Sequence, residues 1–196
     1  MLMDFQNYGV HPKGYWAQRD PGQYTRLVAS RTLDNAAKAL AAARVAKLRV
    51  IHVVNRWREG QPDLDDGIPM WAGRRGTDSG VEGTWGAEIV EQLAPAADEI
   101  VVVKRTVSAL ATTDLERLLT LFGIRTLVLA GIATNFVVEG TAREAADRGY
   151  RVIALRDACE TWSAEAQRFS IEILSLLGEV ITVDEFVRLV AGPPDV

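Results

Sequence analysis

GIRTLVLAGIATNFVVEGTAREAADRGYRVIAL (residues 123–155) decides the architecture. It opens on a glycine, runs through an apolar stretch to Gly131, then follows a helical pattern to Arg148. A second glycine, Gly149, leads into another apolar run. Glycine where a helix ends supplies a left-handed backbone without steric cost. Both apolar runs are continuously hydrophobic, not alternating, as in strands covered by helices on both faces. The stretch therefore reads as strand, helix, strand, with the two strands parallel.

Similar apolar runs lie at residues 1–4, 49–54, 99–103 and 179–182; with 126–130 and 151–155 they give six expected strands. Helices are expected at roughly 29–46, 86–93, 114–122, 135–148, 164–177 and 184–190. Strands alternating with helices imply one α/β domain over residues 1–196, a three-layer α/β/α arrangement around a doubly wound, mostly parallel six-stranded sheet. In ARVAKLRVIHVV, Lys47 occupies the place of Gly123 and Gly149; a left-handed lysine there costs about 1 kcal/mol. Residues 56–83 are rich in Gly, Pro, Asp and Arg, carry Trp57, Met70 and Trp71, and show no period. A loop of that length is more often a lid or binding loop than a linker. GPPDV, after Ala191, reads as a frayed tail. The first strand starts at Met1, which implies a short strand or a start upstream; an intact mass distinguishes the two.

Composition narrows the function. Hydrophobic residues make up 48% and charged residues 24% of the chain, enough for a packed core. A net charge of −4 argues against a nucleic-acid partner. No apolar run approaches the roughly 20 residues that span a bilayer, so no membrane partner is expected. MLMDFQNYG lacks the basic and apolar segments of a signal peptide, which points to the cytoplasm. The single cysteine, Cys159, leaves no disulfide framework. His52 lies in the apolar IHVV as a core histidine would, and His11 stands alone in a loop, so no metal is expected. Neither GxGxxG nor GxxxxGK[ST] occurs, and no cofactor is expected. The remaining expectation is a small-molecule substrate.

Ligands of parallel α/β sheets bind beyond the carboxyl ends of the strands. The polar residues expected there are Asp4, Gln6 and Asn7 after strand one; Asn55, Arg56 and Trp57 after strand two; Lys104, Arg105 and Ser108 after strand three; and Thr134–Asn135 after strand four. Singly, each has a plain structural explanation: Asp4 as a turn cap, Lys104 as a solvated strand end, Thr134 or Asn135 as a helix cap. Together they form a constellation, because the helix after strand four would aim its first N–H groups at the same edge, where they and Lys104 would suit a carboxylate or oxyanion. Arg56 is a candidate carboxylate fork or a solvated loop arginine. Trp57, Trp71 and Trp85 would wall an apolar pocket or simply pack.

DFQN, GTWGAEI, VVVKRTVSAL, GIRTLVLAGIATNFVVEGTAREAADRGYRV and the strand leading to Asp157-Ala158-Cys159 together resemble, in order and spacing, the motifs of the isochorismatase-like (cysteine hydrolase) family. The resemblance covers nearly the whole chain. It implies a six-stranded parallel sheet and an Asp–Lys–Cys catalytic group, with Asp4 and Lys104 at the first two positions. It also implies a cis peptide at Ile132–Ala133 and oxyanion-hole N–H groups from Ala133 and residue 137. Gln6, Asn55, Arg56, Trp57, Trp85 and Thr134 are the expected substrate contacts. Relatives commonly form dimers or larger assemblies, so a homo-oligomer is expected.

At position 137 the chain departs from that pattern, with Val137 where the cysteine is expected. Valine has no nucleophilic atom, which excludes a thioester route through this position. Cysteine-free relatives, the isochorismatases proper, protonate a vinyl ether and let water attack the oxocarbenium carbon; by that analogy Asp4 is the general acid and Lys104 its partner. An adjacent ammonium lowers a carboxyl pKa whereas burial raises it. Two alternatives stay open: an inactive family member that binds a small anion or a partner protein, and a thiol amidase working through Cys159.

Overall fold

A computed structural model describes residues 1–192; the expected frayed tail lies almost wholly outside the described residues. Six parallel strands form one sheet: β1 Leu2–Met3, β2 Ile51–Asn55, β3 Ile100–Lys104, β4 Thr126–Ile132, β5 Arg151–Glu160 and β6 Glu179–Ile181, in the order β3-β2-β1-β4-β5-β6. The chain builds outward from β1 in one direction, then returns to its other side with β4. That reversal opens a crevice between the carboxyl ends of β1 and β4.

Alternation along each strand makes the three layers. Met3, Val53 and Leu129 face a core closed by α6 Leu115–Leu121, α7 Glu139–Asp147 and α8 Ala164–Leu177. Leu2, Ala130 and Leu155 face the opposite core, closed by α3 Pro21–Ala29, α4 Thr32–Val45 and α9 Val183–Ala191. β1 and β4 are in close contact because Gly131 has no side chain: a Cβ there would lie 2.9 Å from the Met3 carbonyl oxygen.

Gly123 and Gly149 adopt positive φ, 63° and 80°, as their places between helix and strand require. Lys47 does the same at φ 54°. Three expectations change. Residues 29–46 are not one helix: α3 ends at Ala29, Arg31 is left-handed at φ 54°, and α4 starts at Thr32. No α-helix forms over 86–93. Val90 donates to the Phe5 carbonyl (3.0 Å) and Gln6 bridges Ile89, which leaves only the short 3₁₀ turns Trp85–Ala87 and Glu91–Leu93. Residues 7–19 carry two short helices that no period announced, α1 Asn7–Val10 and α2 Tyr15–Arg19. Within residues 56–83, α5 Pro69–Ala72 is the one helical turn, and Trp57, Leu64 and Trp71 form a small core of their own.

Candidate active site

Asp4 follows the two-residue β1 and takes φ 61°; its N–H donates to the Val53 carbonyl at 2.9 Å. That turn directs the carboxylate at Lys104, the last residue of β3. Lys104 Nζ lies 2.9 Å from Asp4 Oδ2 and donates to the Thr106 carbonyl at 3.0 Å. Both side chains are buried. β1 and β3 flank β2, so the pair spans the carboxyl end of that strand, beside Asn55. Burial raises the Asp4 carboxyl above the ordinary carboxylate range, outweighing Lys104 and Arg74, which lower it. Burial likewise pushes the Lys104 ammonium down, against the pull of Asp4.

Asp4, Asn55 and Lys104 line a cavity of about 80 Å³ together with Tyr8, Trp71, Arg74, Ala133 and Val137, with Phe136 and Trp162 in the same wall. Space on that scale holds water or a small ligand. The Ile132–Ala133 peptide is cis. After it, residues Thr134–Val138 make one π-helical turn before α7. Such turns inside helices occur often at functional sites. Val137, at the position where the resemblance leads one to expect a cysteine, lines the cavity and offers it no nucleophilic atom. Cys159 is no substitute. It lies near the carboxyl end of β5, beside Gly131, but is buried in the core outside the cavity wall, and burial pushes its thiol up to about 12.

The other expected contacts lie outside the cavity wall. Gln6 is fully buried: its Nε2 donates to the carbonyls of Asn55 and Ala87, both at 2.8 Å, and its Oε1 accepts from Asn55 N–H at 2.7 Å. It braces Asn55 from behind. Trp57 packs edge-on against Trp71 with ring centroids 5.3 Å apart. Trp85 is 47% exposed and meets His11. Thr134 Oγ1 donates to Gln167 Oε1 at 2.7 Å. Arg56 is half-buried, with its N–H toward the Lys104 carbonyl. Lys104's neighbour Arg105 pairs with Asp63, and Ser108 donates to Glu144.

Sequence reasoning missed Tyr8 and Arg74, both buried and both in the wall. The adjacent arginines of WAGRRG, inside a tryptophan-bearing loop, were the available signal. Among the described residues no group of three His, Cys, Asp or Glu is placed to hold a metal. No described helix is long and apolar enough to cross a membrane.

Comparison with known proteins gives a consistent answer. The isochorismatase domain matches residues 2–185. The chain is 31% identical to the ureidoacrylate amidohydrolase RutB of Variovorax paradoxus, over 96% of this chain and 79% of that protein. It is 30% identical to the RutB of Serratia proteamaculans, over 98% and 82%. Among solved structures it superposes on a cysteine hydrolase from Pseudomonas syringae pv. phaseolicola with TM-score 0.85, at 27% identity over 97% and 90% of the two chains. An isochorismatase-like hydrolase from Alkaliphilus metalliredigens gives TM-score 0.78, at 30% identity over 95% and 94%. With the parallel sheet and its order on the same footing, the chain belongs to the isochorismatase family of hydrolases.

Proposed function

We propose that this hydrolase acts on a small, anionic substrate without a cysteine nucleophile, using Asp4 as general acid, Lys104 as its partner and water as the attacking group. One observation carries the reading: Asp4 lines the cavity with Oδ2 held by Lys104, while Oδ1 is buried without a hydrogen-bond partner. A carboxyl raised by burial keeps a proton to give, and its unpartnered oxygen is the one left to carry it.

For a vinyl ether, the Asp4 proton would pass to the terminal carbon of the double bond, leaving an oxocarbenium ion. Water adds to the oxygen-bearing carbon of that ion, its proton returns to Asp4, and the hemiketal collapses to an alcohol and a ketone. Lys104 offsets the carboxylate charge between the two transfers. The vinyl ether comes from the resemblance to cysteine-free relatives; ureidoacrylate, named for the RutB relatives, is the other substrate class to assay.

The test is a turnover screen of both classes with wild type and Asp4→Asn. The substitution should cost at least about 100-fold in kcat. Full activity in Asp4→Asn would sink the mechanism. Because the acid form is the active one and its pKa is raised, kcat should fall as pH rises through that pKa. Carboxylate binding without turnover of any substrate would favour the reading in which the family member only binds. Self-association belongs to the same proposal: Leu176 and Phe169 of α8 stay exposed, and sedimentation velocity reads the assembly directly.

A further inference from the structure

The loop between β2 and β3 places one charge in the cavity that the proposed chemistry leaves unused. Arg74 is only 4% exposed, and its guanidinium sits among four aromatic rings. The guanidinium carbon is 4.6 Å from the centroid of Tyr8, 4.8 Å from Trp71, 5.2 Å from Trp57 and 5.6 Å from Trp16. Aromatic faces hold a guanidinium through its charge and leave its N–H groups for other partners. Here Nε and Nη1 are buried without a hydrogen-bond partner, and among the described residues no carboxylate pairs with Arg74. Trp71 Nε1, in the same wall, is also buried and unpartnered.

Buried donors in that state are costly unless something fills them. Nε and Nη1 lie on opposite edges of the guanidinium, each next to Nη2, and the pair of N–H groups on either edge matches the two oxygens of a carboxylate. Charge points the same way: the wall carries the cations Arg74 and Lys104 against one acid, Asp4. The unpartnered acceptors, Asp4 Oδ1 and Asn55 Oδ1, are separate groups of the same wall.

We infer that Arg74, with Trp71 Nε1 beside it, is the fork that binds the substrate's carboxylate and so determines which molecules enter. The inference rests on the reading of this cavity as the place where a small anion reacts. Substrates would be short monocarboxylic acids, their carboxylate on Arg74 and their reacting carbon at Asp4. Tyr8 and the tryptophans act as positioning residues that keep the guanidinium plane fixed.

The test is binding, measured apart from turnover, by NMR titration of the full chain with propionate, crotonate and 3-ureidopropionate, each beside its neutral carboxamide. Wild type should prefer each carboxylate by about tenfold or more. Arg74→Met should erase that preference, and Arg74→Lys, which keeps the charge but not the fork, should keep only part of it. Equal affinity of wild type for acid and amide would overturn the inference, as would an unchanged preference in a folded Arg74→Met. If Arg74→Met does not fold, the wild-type comparison and Arg74→Lys decide, since a fully retained preference in Arg74→Lys also counts against a fork. Arg74-dependent carboxylate binding without turnover would remove the hydrolytic mechanism and leave this site standing. Turnover with no preference for the acids would do the reverse.

Discussion

Cys159 is the residue that a reader expecting thiol chemistry reaches for first. Its Sγ lies 3.9 Å from the Leu129 carbonyl and away from the cavity, and at about 12 its thiol stays protonated at neutral pH. Cys159→Ser should therefore leave kcat unchanged, and iodoacetamide should leave the folded protein unlabelled by mass spectrometry. A modified, inactivated enzyme would reopen the thiol route. Asp4, Asn55 and Lys104 were legible in the sequence because strand ends can be located by hydrophobic pattern, and the sheet brings those ends together. Gln6, Trp57, Trp85 and Thr134 were located near the right edge, but strand-end position does not fix side-chain direction. Gln6 turns inward to brace Asn55, and Thr134 turns toward Gln167. Arg74 was not legible. Its role depends on four rings drawn from α1, α2, the loop just after β2 and α5, a juxtaposition that no local spacing encodes.

The loop over residues 56–83 shows how a segment without periodicity acquires one shape. Gln61 is 3% exposed and takes φ 55°. Its Nε2 donates to the carbonyls of Arg74 (3.0 Å) and Thr77 (3.2 Å), and its Oε1 accepts from Gly76 N–H at 2.7 Å. One amide thus closes the loop on itself and fixes the backbone of Arg74. Gln61→Ala should leave Gly76 N–H and the Thr77 carbonyl without these partners, at a cost of about 2–3 kcal/mol in urea unfolding. Carboxylate affinity should weaken with it, although Gln61 is not in the cavity wall. A variant that lost stability but kept wild-type affinity would separate the loop's closure from the placement of Arg74. The missing helix at 86–93 has a comparable origin. Its local pattern suits a helix, but Ile89 and Val90 pair with Gln6 and Phe5, and that long-range contact prevails.

Across the whole molecule, the strand order was the part of the fold that the sequence left implicit: six parallel strands follow from composition and punctuation, but their order does not. The observed order puts the reversal between β1 and β4, so Asp4 and the Ile132–Ala133 turn open on one crevice. At the opposite, amino-terminal end, Glu99 ties layers together. Arg44 of α4 holds its carboxylate through Nε at 2.7 Å, and His52 of β2 lies 2.9 Å away. The Arg44 hydrogen bond is the main cause that lowers Glu99 from 4.5 to about 2. A carboxylate lowered by folding stabilises the native state above its unfolded pKa, and that stabilisation is lost as pH falls toward the folded value. Glu99→Gln should therefore lower Tm at pH 7, with the gap to wild type closing as pH drops from about 4.5 toward 2. A gap independent of pH would mean that Glu99 acts through packing alone. Val137 has a consequence at this scale too. Relatives that work through a thiolate are open to peroxide and electrophiles, because the atom that reacts with substrate is also the atom that oxidises. With valine at position 137 and its only cysteine shut inside the sheet, the chain offers an oxidant no exposed sulfhydryl, and the chemistry proposed for Asp4 would proceed under oxidative stress that silences a thiolate.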